Sequence, residues 1–103
     1  MGRLIYGNGR EINIEDYTLA HVKVVILSKL RLGQSFSFSW QREEGSGRGT
    51  IWLDRAIPLE FEFDTDTRPS PNRRWIEALL NSANSAEGLR IVPEPQDSHL
   101  SPL

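Results

Sequence analysis

The sequence predicts a single α+β domain, in which an antiparallel sheet carries two helices packed on one face. The chain has 103 residues, enough for one hydrophobic core. Several short segments alternate apolar and polar residues, whereas two longer ones repeat apolar residues at helical spacing. Short links between the strands favour antiparallel pairing. The predicted order of elements is β-β-α-β-β-β-α-β.

The first two strands, residues 3–6 and 10–14, flank Gly7, Asn8 and Gly9. Asn-Gly tolerates the positive φ angles of a tight turn, so these residues predict a β-hairpin. Ile12 and Ile14 alternate with polar residues, which predicts one buried and one exposed face.

The first helix is predicted between Asp16, a suitable N-cap, and Gly33, a suitable stop. Its core row has apolar residues at helical spacing: Leu19, Val22, Ile26 and Leu30. A second row is also largely apolar: Tyr17, Ala20, Val24, Leu27 and Arg31. One such row is sufficient for a surface helix. Two rows therefore indicate either a helix enclosed within the domain or self-association through the second row, with a dimer favoured.

Three further strands are predicted at residues 35–40, 50–53 and 59–64, arranged as a meander. Strict alternation in the first and third puts aromatic and aliphatic residues inside, and Ser, Glu and Asp outside. An outer face of hydroxyls and carboxylates disfavours nucleic acid, because RNA-binding sheets use exposed aromatic and basic residues. The side of Trp52 is ambiguous, since Ile51 and Leu53 compete for the inner face.

The second helix is predicted to begin with Ser70 as N-cap and Pro71 as its first residue. Its apolar side includes Trp75 and Leu79, and residues 89–92 are predicted to form a last short strand. These elements define one domain over residues 1–92. Residues 93–103 are rich in proline and poor in apolar groups, which predicts a disordered tail.

Composition excludes several classes of protein. The net charge is -2, and residues 1–92 are neutral, so no pervasive positive field surrounds the chain. There is no cysteine and there are only two histidines, His21 and His99, so neither a metal nor a cofactor is predicted. The longest apolar run, residues 24–27, is too short to span a membrane. With no leader-like segment, the sequence predicts a cytoplasmic protein.

No catalytic constellation is evident. Glu60 and Glu62 share one face of a strand, but carboxylates there are more typical of protection against edge-to-edge aggregation. His21 lies beside apolar residues of the first helix, which favours a structural role, and no nucleophile elbow is present. The sequence therefore predicts no enzyme activity.

Arginines supply the best candidate anion site. One lies in the glycine-rich loop of residues 45–49, and the others lie near the start of the second helix, where free N–H groups favour anions. The alternative is a set of ordinary surface ion pairs. The candidate residues are Arg48, Arg68, Arg73 and Arg74.

The order of segments resembles a family of small actinobacterial proteins of unknown function, over about residues 1–95. The matching segments are residues 2–7, 16–23, 35–40, 45–53, 72–79 and 88–95. Members often bear the label of ATP-dependent DNA ligase, which implies an association with nucleic-acid metabolism. Such ligases use a Lys-x-Asp-Gly motif, but neither Lys23 nor Lys29 begins one. The α-β-β-β-α order also resembles that of double-stranded RNA-binding domains, whose lysine-rich second-helix start is represented only by Arg73 and Arg74.

The sequence thus predicts a small, non-catalytic, self-associating binding module. The alternative is an accessory protein that binds nucleic acid or another polyanion through the four candidate arginines.

Overall fold

The computed structural model describes residues 1–42 and 45–96, and its elements follow the predicted order. The strands are β1 (Gly2–Tyr6), β2 (Arg10–Ile14), β3 (Phe36–Gln41), β4 (Arg48–Leu53), β5 (Leu59–Glu62) and β6 (Leu89–Arg90). The helices are α1 (Asp16–Arg31) and α2 (Arg73–Ala83). The α+β class is confirmed.

The strands form two sheets instead of the single antiparallel sheet predicted. One has the order β2-β1-β5 and the other β4-β3-β6. The β1–β2 hairpin is confirmed, but β5 leaves the predicted meander and pairs with β1. A turn redirects the chain after β4, where the Asp54 carbonyl accepts from the Ile57 N–H at 3.0 Å. Arg3 then bonds Glu62 across the β1–β5 pair at 2.9 Å.

The last strand makes the second sheet mixed. β6 pairs with β3 in parallel, with Phe38 opposite Leu89 and Ser39 opposite Arg90. Parallel strands need a long crossover, and the chain between β3 and β6 supplies one that includes α2. The prediction of purely antiparallel strands is wrong at this point.

One hydrophobic core lies between the sheets and the helices. The alternation predicted for β2 and β3 is confirmed, because the inward side chains are buried: Ile12, Ile14, Phe36, Phe38 and Trp40. The core row of α1 is buried at Leu19, Val22 and Ile26, whereas Leu30 is partly buried.

Helix α1 is enclosed on a further side by α2. The side chains of His21, Val25 and Lys29 are buried, although none belongs to either predicted row. The His21 ring lies 4.8 Å from that of Trp75, and Lys29 Nζ donates to Asn84 Oδ1 at 2.5 Å. Helix α2 therefore covers a side of α1 that is distinct from both predicted rows.

Both predicted N-caps are corrected. The N-cap of α1 is Glu15, while the Asp16 carboxylate accepts from the N–H groups of Asp64 and Thr65, at 3.0 and 3.1 Å. The carboxylate therefore joins the helix to the chain beyond β5. The N-cap of α2 is Asn72 instead of Ser70, two residues later, since the Asn72 backbone is extended and its side chain accepts from the first-turn N–H groups of Arg74 and Trp75. The backbone N–H of Asn72 donates to His21 Nε2 at 2.9 Å.

Replacement of the two candidate caps distinguishes them. Asn72 Oδ1 accepts from the N–H groups of Arg74 and Trp75, at 3.1 and 3.3 Å. We expect Asn72→Ala to lower the free energy of unfolding by about 1–2 kcal/mol, the usual effect of losing a cap. Ser70→Ala is the matched control and should change it by less than about 0.5 kcal/mol. Urea denaturation measures both, and equal losses would contradict the assignment of Asn72.

The segment after β6 packs against both helices. Trp75 Nε1 donates to the Val92 carbonyl at 2.8 Å. Glu94 Oε2 accepts from the Tyr17 hydroxyl at 2.5 Å and from Asn72 Nδ2 at 2.8 Å. Residues 93–96 thus lack regular secondary structure but make side-chain contacts, and residues 97–103 of the predicted tail lie outside the described residues.

These contacts of Glu94 predict a pH dependence of stability. Hydrogen bonds from Tyr17 and Asn72 lower the pKa of Glu94 from its ordinary value. As the pH falls below that ordinary value, the unfolded chain takes up the proton first, so the stability due to Glu94 is lost toward acid. We expect Glu94→Gln to show a shallower acid loss of stability than the wild type in denaturation at several pH values. If the free energy of unfolding of the wild type and of Glu94→Gln falls equally toward acid, this role of Glu94 is contradicted.

Candidate binding surface

The outer face of the β4-β3-β6 sheet is the candidate site. Phe36, Phe38 and Trp40 alternate inward on β3, so the residues between them point outward. The strand register then fixes their neighbours on β4 and β6. The outer face is formed by Ser37, Ser39, Gln41, Arg48, Thr50, Trp52 and Arg90.

This composition differs from the predicted outer face. Glu60 and Glu62 lie on β5, in the other sheet, so they do not share a face with the serines of β3. The strands β3, β4 and β6 contain no acidic residue. The expectation of an acidic outer face is therefore wrong for this sheet, because it depended on a single meander.

The register also settles the orientation of Trp52. It lies opposite Ser37, on the outer face, and its side chain is 57% exposed. Leu53 is buried and Ile51 is partly buried, so both apolar neighbours occupy the inner side. The Tyr6 hydroxyl donates to the Trp52 carbonyl, which links the end of β1 to β4. The indole is thus exposed on a strand whose backbone is hydrogen-bonded to a residue of the other sheet.

Polar contacts order the middle and the edge of this face. The hydroxyls of Ser39 and Thr50 are 2.8 Å apart, within hydrogen-bond distance. Arg90 Nε lies 3.5 Å from Glu87 Oε1, and the backbone N–H of Arg90 donates to the buried hydroxyl of Ser82 at 2.9 Å. Strand β6 is therefore held by α2 as well as by β3.

Two grooves adjoin the face. The larger has a volume of about 720 Å³, and its polar lining includes Ser39, Arg48, Thr50, Glu87 and Arg90. The smaller, of about 350 Å³, adjoins Trp52 and Ser37. Both volumes are in the range of sites for small ligands or for parts of larger ones.

The structure separates the four candidate arginines. Arg48 lines the larger groove. Arg73 and Arg74 lie in the first turn of α2, which packs its apolar side against the core on the inner side of the sheet, and Arg68 precedes that helix. Within residues 1–42 and 45–96, no salt bridge involves Arg68, Arg73 or Arg74.

Sequence reasoning missed Arg90. The signal was present, since Leu89 and Arg90 alternate in the predicted last strand, but its partner strand was unknown. Parallel pairing with β3 places Arg90 on the same outer face as Arg48.

Carboxylates of the other sheet are engaged with cations. Arg3 lies 2.9 Å from Glu62 and 3.4 Å from Asp64, and the amino group of Met1 lies 2.8 Å from Asp64. Hydrogen bonds from Arg3 lower the pKa of Glu62, and that from the amino group lowers the pKa of Asp64. Hydrogen bonding to Glu62 and its negative charge raise the pKa of Glu60. No group of three or more potential metal-ligating side chains is found in the described part of the chain.

His21 has a structural position. Its Nδ1 donates to the Tyr17 carbonyl at 2.8 Å, since a carbonyl only accepts, and its Nε2 accepts from the Asn72 N–H at 2.9 Å. These two bonds define the neutral imidazole with its proton on Nδ1. His21 is 2% exposed and joins the two helices.

The second row of α1 is partly covered. Tyr17 packs its ring 5.6 Å from that of Trp75 and bonds Glu94, so it is partly buried against the core. Ala20 and Leu27 are half-buried, Val24 is 43% exposed and Arg31 is exposed. A short apolar strip centred on Val24 remains open to solvent.

No helix in residues 1–42 or 45–96 has both the length and the apolar character required to cross a membrane. Comparison with curated proteins and with solved structures gives no match. A family model described as a domain of unknown function, DUF7882, matches residues 1–94, nearly the same range as the resemblance noted in the sequence. The chain belongs to the DUF7882 family.

Proposed function

We propose that the protein is a small non-catalytic module that binds a polyanionic ligand on the outer face of the β4-β3-β6 sheet. The observation that supports this most is the placement of Arg48 and Arg90 on one face whose strands carry no carboxylate. Guanidinium groups bind phosphate and carboxylate in planar, bidentate fashion. The hydroxyls of Ser39 and Thr50 line the same groove as the two arginines, and because one hydroxyl donates to the other, one O–H remains as a further donor.

The buried titratable side chains make structural hydrogen bonds between the two helices, which supports a non-catalytic role. Among the described residues, His21 and Lys29 are the buried titratable side chains, and both bond across the α1–α2 contact. The resemblance to actinobacterial proteins labelled as DNA ligases supports an association with nucleic acid. It does not support ligation, because the lysine motif that accepts the adenylate is missing.

Binding of inorganic polyphosphate at about 50 mM salt tests this proposal, since phosphate contacts are strongest at low ionic strength. Isothermal titration should show binding by the wild type and its loss in Arg48→Ala/Arg90→Ala. The matched control is Arg73→Ala/Arg74→Ala, which removes the same charge from the start of α2 and should bind as the wild type does. Absence of binding, or loss only in the control, would overturn the proposal.

Self-association is the second candidate function, and the exposure of Val24 favours it. Val24 is 43% exposed on an arc of α1 that also holds the half-buried Ala20 and Leu27. Burial of this strip in a homodimer would remove apolar area from water. Sedimentation velocity of the wild type should then show a dimer, and Val24→Glu/Leu27→Glu a soluble monomer.

The control for that experiment is Asn81→Glu, which adds a charge at an exposed position of α2. It should leave the sedimentation coefficient unchanged. A wild type that is monomeric at tens of micromolar, or a dimer that survives both glutamates, would exclude this interface.

A further inference from the structure

We infer that the ligand of the β4-β3-β6 face is an unpaired nucleic-acid strand, whose bases stack on Trp52 and whose phosphates contact Arg48 and Arg90. This inference rests on the proposed polyanion-binding function and names its ligand. The chemical reason is the combination of an exposed indole with two guanidinium groups on one sheet face. A polymer of alternating planar bases and phosphates matches both kinds of group.

The indole indicates a ligand with unpaired bases. Trp40 and Trp75 are buried, whereas Trp52 is 57% exposed and lies on the outer face. Aromatic side chains on a sheet stack on bases that are free of a duplex, because paired bases are already stacked on each other. A linear polyphosphate, in contrast, gains nothing from an aromatic ring.

The spacing along the sheet suits a polymer more than a single small anion. Trp52 and Arg48 are four residues apart on β4, which separates their Cα atoms by about 13 Å at the rise of a strand. Arg90 lies across β3 from Thr50, so it is about 10 Å from β4. One small anion does not span these three groups, whereas a short strand of nucleotides does.

The charge and polarity of the groove favour a nucleic-acid strand over a protein as the ligand. The groove between the arginines is lined mainly by hydroxyl, amide and charged groups, with Glu87 beside Arg90. The centre of a protein–protein interface is typically apolar and poor in charge. On this face the exposed apolar side chains are Trp52 and, at the edge beyond β6, Ile91, which is 36% exposed.

Titration of intrinsic fluorescence tests the inference. The probes are single strands of about 12 nucleotides, oligothymidylate and oligouridylate, and a DNA duplex of equal length. We expect a single strand to quench the Trp52 emission and to bind more tightly than the duplex at about 50 mM salt. Comparison of the affinities for oligothymidylate and oligouridylate shows whether the preferred ligand is DNA or RNA.

Variants separate stacking from charge. We expect Trp52→Ala to weaken single-strand binding by about tenfold or more, and Trp52→Phe to weaken it less, because a phenyl ring still stacks. Binding by Trp52→Ala is followed by anisotropy of a labelled strand. Arg48→Ala and Arg90→Ala should weaken binding and reduce its salt dependence. Arg55→Ala, at an exposed position in the turn after β4, is the matched control and should bind normally.

The outcomes distinguish this inference from the broader proposal. Equal affinity for duplex and single strand, or normal single-strand binding by Trp52→Ala, would overturn the inference. If polyphosphate still binds through Arg48 and Arg90 in that case, the polyanion function stands without it. Failure of polyphosphate and single strands alike would overturn both.

Discussion

Substitution of Gly88 by alanine is expected to lower the free energy of unfolding by about 2–5 kcal/mol. Gly88 has a φ of +81°, a conformation that costs other residues about 1–2 kcal/mol. An added Cβ would also lie 2.0 Å from the Ser37 hydroxyl and 2.7 Å from the Ser37 carbonyl oxygen. The hydroxyl can rotate away, but the carbonyl belongs to the strand backbone. The strand β6 would therefore have to move away from β3.

Gly9 provides the matched control. Its φ is +98°, but an added Cβ there meets no described atom within 4 Å. Gly9→Ala should therefore show only the conformational cost, about 1–2 kcal/mol. Urea denaturation compares the two variants. If Gly88→Ala costs no more than Gly9→Ala, β6 does not dock against β3 as described.

Substitution of Ser82 by alanine is expected to destabilise the protein by about 2–4 kcal/mol, since each buried group left unpaired costs about 1–3 kcal/mol. The Ser82 side chain is 6% exposed in the last turn of α2. Its hydroxyl donates to the Gly88 carbonyl at 3.1 Å and accepts from the Arg90 N–H at 2.9 Å. Alanine leaves both backbone groups without their side-chain partner.

The control is Ser28, whose exposed hydroxyl donates to the Val24 carbonyl within α1, at 2.7 Å. Ser28→Ala should change stability by less than about 0.5 kcal/mol, because water replaces this bond and alanine favours a helix. Thermal or urea unfolding measures the difference between the two serines. Similar small losses would show that α2 does not hold β6 through Ser82.

Local patterns were sufficient to predict most elements of the fold. The alternation of Phe36, Phe38 and Trp40 with serines predicted both a strand and its buried face. Helical spacing likewise predicted α1 and its buried row at Val22 and Ile26. These predictions succeed because side-chain direction within one element depends only on its own period.

Strand partners could not be predicted in the same way. Alternation in β5 and β6 shows which side chains share a face but not which strand lies alongside. The pairing of β5 with β1 depends on contacts distant in sequence, such as Arg3 with Glu62. For that reason the acidic residues of β5 were wrongly assigned to the outer face of β3.

The candidate site was only partly predictable. Arg48 was identified as a basic residue presented to solvent, but Trp52 was ambiguous and Arg90 was missed. Trp52 lies between two apolar residues, so only its register with Ser37 reveals the direction of its side chain. Arg90 joins the face through the parallel pairing of β6 with β3, which no local pattern encodes.

The most direct test of the binding surface is NMR titration of the labelled protein with single-stranded oligothymidylate, following every backbone amide. We expect the largest shift changes at residues 48–52 of β4 and at Arg90, together with the indole N–H of Trp52. Changes concentrated at Arg68, Arg73 and Arg74, or none beyond those caused by salt alone, would contradict the assignment of this surface.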